Sequence, residues 1–309
     1  MAQLENYENS MSKISVFEPG NYIVKTIKVK KCGVASPPPA KLLVFSPEFE
    51  GTYPVLLFCH GYCTNNTWYS QILSHVSSHG YIVVAPQFYQ CLLISLNDEI
   101  KTAAKVTNWL PQGLTQSLPQ HVKPNLTKLS LMGHSRGGKV AFALALGHEP
   151  TSLKFKALLG LDPVSMPNPP AWVEPSILSY VPRSFELSIP IGIVGTGLSN
   201  RKSGCFFPPL APDGFNSSEF FNESKPPCCY FRAKDYGHCD VLDESKLGLA
   251  SWVCKSGKGC KEKMRRGVGG VVVAFLKAYL GGEFQDLEGV VCGKDVAPIT
   301  FDPVICIKE

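Results

Sequence analysis

Short runs of β-branched and other apolar residues recur along this chain, and between them lie longer segments whose apolar residues follow a helical period. That alternation is the pattern of a mostly parallel sheet covered by helices on its faces. It predicts strands at 23–31, 41–46, 55–59, 81–85, 129–132, 157–161, 191–194 and, last, 229–233. Helices are predicted at 69–79, where Gly80 can serve as the stop, at 98–109, which opens on acidic residues, and at 136–146 and 268–280. No internal repeat is present. The fold class implied is α/β, with a mostly parallel central sheet flanked by helices.

The 309 residues suit one such domain at 23–282, preceded by an extension at 1–22 and followed by a short irregular one at 283–309. Residues 199–227 are rich in Pro, Gly, Ser, Asn and Phe without a clear period. That segment is too long for a simple connection and reads as a cap or binding loop.

Hydrophobic residues make up 44% and charged residues 18%, enough apolar surface to offset the entropy of ordering the chain. The net charge of +5 is spread thinly, and its local clusters at 25–31 and 261–266 read as solvated faces, so no nucleic-acid partner is implied. No apolar run approaches the ~18 residues of a membrane helix. The chain is therefore expected to be soluble or peripheral to a membrane.

Residues 1–22 lack a secretory apolar core, and Glu5, Glu8 and Glu18 argue against a plastid or mitochondrial transit peptide. The twelve cysteines are scattered singly apart from Cys228 and Cys229. Cys254, Cys260, Cys292 and Cys306 have no histidine at zinc-site spacing, so no metal is expected, and one or two disulfides are compatible with the pattern.

The residues Gly133-His134-Ser135-Arg136-Gly137 match Gly-x-Ser-x-Gly, the elbow in which a strained turn lifts a serine hydroxyl out of a sheet. Context strengthens the match, since an apolar strand at 129–132 precedes it and an Ala-rich helix at 140–146 follows. A serine hydroxyl needs a base to take its proton and aimed N–H groups to hold the resulting oxyanion. His60-Gly61 follows an early buried strand, where this fold places an oxyanion loop; the N–H groups of Tyr62 and of Arg136, the residue after the serine, are the candidate donors.

With the chain order serine, acid, histidine, the base belongs on a loop after the last strand, and of seven histidines His238 satisfies this. His60, His75, His79, His121, His134 and His148 read as structural or surface residues. For the acid, Asp162 ends the strand after the nucleophile helix, which puts it at the sheet edge of Ser135. Asp213 lies in the loop after 191–194, where many members of this fold carry their acid, and Asp235 and Asp240 neighbour His238, so these three remain competitors.

At this point the chain resembles plant chlorophyllases. The similar blocks are Tyr53-Pro54-Val55 through His60-Gly61, Ser77-Ser78-His79-Gly80-Tyr81, Ala85-Pro86-Gln87, and the elbow extended through Gly138-Lys139. Others are Gly160-Leu161-Asp162-Pro163-Val164, Gly195-Thr196-Gly197-Leu198, Asp235-Tyr236-Gly237-His238 and Val268-Gly269-Gly270. The resemblance implies hydrolysis of the phytyl ester of chlorophyll, or of magnesium-free pheophytin, to the free acid and phytol. It assigns the triad to Ser135, Asp162 and His238, and so favours Asp162 among the acids. No cofactor is implied, because the magnesium belongs to the substrate. The resemblance points to the chloroplast, whereas the N-terminal composition leaves cytosol and endomembrane open.

A flat macrocycle with a long alkyl chain needs broad apolar walls. Trp68 and Tyr69, Phe206 and Phe207 through Leu210, and residues 92–94 read as such a lining, and equally as core. One alternative function is a general carboxylesterase acting on smaller esters with the same chemistry. Another is a non-catalytic pigment or hormone carrier on the same scaffold, which would ordinarily lack a triad member. Oligomeric state is not legible from the sequence.

Overall fold

The computed structural model of the protein describes residues 15–30, 36–89, 95–166, 174–203, 207–244, 253–293 and 297–308. Its strands are β1 (Val24–Val29), β2 (Lys41–Pro47), β3 (Gly51–Cys59), β4 (Ile82–Gln87), β5 (Val122–His134), β6 (Ala157–Leu161), β7 (Ile191–Thr196), β8 (Cys228–Ala233) and β9 (Phe301–Ile307). They form one nine-stranded sheet in the order β1-β2-β4-β3-β5-β6-β7-β8-β9. From β4 through β8 all neighbours are parallel, while β1 and β2 at one edge and β9 at the other are antiparallel.

The two-residue period of the strands divides the core into two layers. On β3, Val55, Leu57 and Cys59 face a layer completed by helices α2 (Leu96–Trp109) and α3 (Arg136–Ala145). Leu56 and Phe58 face the other, completed by α1 (Ser70–Ser78) and α5 (Lys261–Leu276). Every residue of β6 and β7 is buried, as expected of parallel strands covered on both faces. Two shorter helices, α4 (Ser217–Glu223) and α6 (Gln285–Val291), complete the described helical elements used below. This is the α/β architecture expected from the sequence.

Several elements differ in extent. The charged stretch at 261–266, read as a solvated face, is the first half of α5, where Arg265 is 2% exposed and donates to Gln71 Oε1 at 2.6 Å and to the Leu242 carbonyl at 2.9 Å. Lys261 pairs with the buried Asp240 at 3.0 Å. Hydrophobic period alone does not register a helix face built on hydrogen-bonded guanidinium.

The tail beyond 282, expected to be irregular, contains α6 and β9, so the strand at 228–233 is not the last. Pro303 hides β9 from a sequence reading, yet an edge strand tolerates a residue without an N–H. Cys229 of β8 and Cys306 of β9 are joined by a disulfide, as are Cys239 and Cys254. Of the N-terminal extension, Val16 and Phe17 are buried on the α5 layer, where a Cβ at Gly270 would meet the Phe17 ring at 2.2 Å.

Candidate active site

Because β5, β6, β7 and β8 run parallel, the loops that follow them emerge at one edge of the sheet. Ser135 sits in the sharp turn between β5 and α3 with φ 56° and ψ −127°, a backbone region costly to any residue with a side chain. Its neighbours must be small for the turn to close. A Cβ at Gly133 would lie 2.0 Å from the Gly137 carbonyl oxygen, and one at Gly137 would lie 2.3 Å from the carbonyl oxygens of Cys59 and His60. The Gly-x-Ser-x-Gly spacing is thus a packing requirement of the elbow against β3.

The structure brings Ser135, His238 and Asp162 together. His238 Nε2 lies 2.8 Å from Ser135 Oγ, and His238 Nδ1 lies 2.7 Å from Asp162 Oδ2. An ionised carboxylate only accepts, so Nδ1 carries the proton and Nε2 presents a lone pair to the serine hydroxyl. Asp162 is fully buried at the end of β6 with φ 39°.

Its carboxylate accepts from two further donors. Oδ2 also accepts from Thr196 Oγ1 at 2.7 Å and Oδ1 from the Thr196 N–H at 3.1 Å. Burial alone would push this carboxyl up, but the His238 hydrogen bond and charge together with Thr196 hold it below its ordinary range. Thr196, at the end of β7, is a site residue that the sequence reading did not single out beyond its place in Gly195-Thr196-Gly197.

Two of the competing acids, Asp213 and Asp240, have other partners. Asp213 Oδ1 accepts from Asn200 and Asn216 within its loop. Asp240, 1% exposed, accepts from the Gly237 and Gly257 N–H groups at 2.7 Å each and pairs with Lys261, tying the His238 loop to the segment before α5.

The loop after β3 passes against Ser135, since a Cβ at Gly61 would lie 3.3 Å from Ser135 Cβ. The Gly61 carbonyl is fixed by three side-chain donors, His60 Nδ1 at 2.8 Å, Thr64 Oγ1 at 2.7 Å and Tyr89 Oη at 3.1 Å, and by the Thr64 N–H at 3.4 Å. In a trans peptide the N–H of Tyr62 leaves in the direction opposite to that carbonyl, so the cluster sets its aim. The Tyr62 side chain is 37% exposed, with the Arg136 guanidinium 5.3 Å from its ring centre.

Arg136 Nε in turn donates to Glu99 Oε1 at 2.6 Å, and the Glu99 side chain is fully buried. Burial raises the Glu99 carboxyl to about 7 against the opposing pull of Arg136, and its Oε2 has no hydrogen-bond partner among the described residues. The sequence shows Glu99 only as an acidic residue in the first turn of a helix.

The expected apolar lining divides differently. Of the expected residues, Phe207 is 41% exposed on the loop after β7; Met166, which the sequence did not point to, is 42% exposed on the loop after β6. Trp68 is half-buried and packs against the α1 and α5 layer of the core. Phe206 and residues 92–94 lie outside the described residues. Among the described residues no cluster of His, Cys, Asp and Glu is placed to hold a metal ion, and no helix is long and apolar enough to cross a membrane.

A family model described as Chlorophyllase matches residues 12–308. The chain belongs to the chlorophyllase family. Chlorophyllase-2 of Arabidopsis thaliana is 43% identical over 308 residues, spanning 93% of this chain and 96% of that protein. Chlorophyllase-1 of the same plant is 41% identical over 98% of this chain and 97% of its own length. Chlorophyllase-1, chloroplastic, of Citrus unshiu is 42% identical over 94% and 88%. As a chlorophyllase-family member the protein is a carboxylic ester hydrolase of the α/β-hydrolase fold, acting on a small-molecule substrate.

Proposed function

We propose that the protein hydrolyses the phytyl ester of chlorophyll, releasing chlorophyllide and phytol, with Ser135 as nucleophile, His238 as general base and Asp162 as the acid that orients it. The observation that carries this reading is the unbroken chain from Ser135 Oγ through His238 to Asp162, at 2.8 and 2.7 Å, in a chain that shares 41–43% of its residues with relatives named chlorophyllase.

Ser135 Oγ attacks the ester carbonyl as its proton passes to His238 Nε2, and the N–H groups of Tyr62 and Arg136 receive the oxyanion. The imidazolium is stabilised by Asp162 and then gives its proton to the phytol oxygen as the carbon–oxygen bond breaks. Water repeats the sequence on the acyl-enzyme, releasing chlorophyllide. All groups needed belong to the chain itself.

Support for a large apolar substrate comes from the exposed side chains of Tyr62, Met166 and Phe207 on loops leaving β3, β6 and β7. The 199–227 loop would serve as one wall, anchored by Phe220 of α4, which is fully buried. If remote binding to ring and tail lowers the barrier at the carbonyl, truncated esters lose rate as well as affinity. The test compares kcat/KM for detergent-dispersed chlorophyll, pheophytin and a short p-nitrophenyl ester. Pigment esters are expected to be preferred, with magnesium removal changing the rate modestly; fast cleavage of the short ester with none of either pigment would leave a general carboxylesterase.

A further inference from the structure

His134, the residue before the nucleophile, is buried and outside the triad, yet it touches both halves of the site. Its Nε2 lies 3.0 Å from the backbone carbonyl oxygen of His238, and its Nδ1 lies 2.9 Å from the Tyr69 hydroxyl. A carbonyl only accepts, so Nε2 carries the proton; Nδ1 is then the acceptor and the Tyr69 hydroxyl donates to it. The same Tyr69 oxygen accepts the Gly61 N–H at 3.1 Å and sits 3.0 Å from Thr64 Oγ1, whose hydroxyl also reaches the Gly61 carbonyl. Each proton in the relay from the Gly61 N–H through Tyr69 and His134 to His238 therefore has an assigned direction.

We propose that His134 is a positioning residue that, with Tyr69, couples the loop carrying the base to the loop carrying the Tyr62 oxyanion donor. This inference rests on the reading of Ser135 and His238 given above. The two loops leave β8 and β3, which are not neighbours in the sheet, and His134 at the end of β5 bridges them. Its ring lies 4.7 Å from that of His238, tilted 34°. Burial first, and the His238 charge second, push His134 down to about 3, so it stays neutral beside the imidazolium formed during the reaction. A second cation there would oppose base function. The close fit of Gly61, whose added Cβ would lie 3.0 Å from His134 Nδ1 and 3.1 Å from Tyr69 Oη, leaves the relay little room to rearrange.

The test follows labelling of Ser135 by a fluorophosphonate, which needs both base and oxyanion donors and does not depend on the natural ester. Loss of positioning by a fraction of an ångström is expected to lower the inactivation rate constant about tenfold in Tyr69→Phe and about a hundredfold in His134→Leu, with the reversible binding constant within about twofold. His134→Gln is expected to recover most of the rate, because its amide accepts from Tyr69 and donates to the His238 carbonyl. The double variant Tyr69→Phe/His134→Leu should be no slower than His134→Leu, as for two members of one relay. Should His134→Leu fail to fold, Tyr69→Phe, which keeps the buried ring, decides alone. A wild-type rate in folded Tyr69→Phe, a loss confined to binding, or multiplicative effects would overturn the coupling. No label on Ser135 of the wild-type protein would instead overturn the nucleophile reading on which it rests.

Discussion

Thr196→Val removes one hydroxyl from the site and leaves its shape. In the folded protein that hydroxyl donates at 2.7 Å to Asp162 Oδ2, the oxygen that also accepts from His238 Nδ1. A hydrogen bond to a charged group contributes about 1.5–3 kcal/mol, so its loss makes the carboxylate more basic. The remaining N–H on Oδ1, at 3.1 Å, keeps the carboxylate ionised and in place.

A carboxylate with one donor fewer stabilises the imidazolium more strongly. The acid limb of kcat/KM then moves upward, and at pH 5 the rate relative to its plateau falls about three- to tenfold below that of wild type, the part of that energy passed on through the shared Oδ2. The assay is kcat/KM from about pH 5 to 9 on one ester, with Thr196→Ser as the control that restores the donor. The reasoning is refuted if folded Thr196→Val has an unmoved acid limb, or one shifted downward, or if Thr196→Ser behaves like Thr196→Val.

Among the acids, Asp162→Asn is expected to lose about 10⁴ in kcat, as the wrong imidazole tautomer is favoured. Asp213→Asn and Asp235→Asn should stay near wild type, and Asp240→Asn should chiefly lower the melting temperature, since Asp240 holds Gly237, Gly257 and Lys261; an inactive Asp213→Asn beside an active Asp162→Asn would reverse the assignment. Gly137→Ala places a Cβ 2.3 Å from two carbonyl oxygens of the β3 end, so it should both destabilise the protein and lower hydrolysis by about a hundredfold or more. A wild-type melting curve and rate for Gly137→Ala would show that the elbow does not need this contact.

How far the sequence carries depends on the range over which each feature acts. Strand-to-helix turns are local, so the positions of Ser135, at the end of β5, and Asp162, at the end of β6, are legible from apolar runs and the glycines beside them. His238 is reached by chain order. Tyr69 and His134 stand 65 residues apart, and His134 and His238 104, so their relay leaves no local trace. Glu99 likewise looks like an acid suited to a helix start, and its pairing with Arg136 appears only once α2 and α3 pack side by side. Where a residue breaks the expected pattern for its element, as Pro303 does in β9 and Arg265 in α5, the reading fails for a stated reason: edge strands need fewer N–H groups, and a buried guanidinium is tolerated when its donors are satisfied. Trp68, which the sequence offers equally as ligand wall and as core, is half-buried and packs its buried side against the core.

The central claim is that Ser135 is the nucleophile of a chlorophyll ester hydrolase, and the most direct measurement follows chlorophyllide and phytol formation from detergent-dispersed chlorophyll by the wild-type protein and by Ser135→Ala. The substitution deletes one hydroxyl and little packing, so both proteins should melt alike. Wild type is expected to release both products, and Ser135→Ala to fall by several orders of magnitude, on the order of 10⁶ in kcat by comparison with other serine hydrolases. A folded Ser135→Ala that still converts chlorophyll at near the wild-type rate would contradict the account.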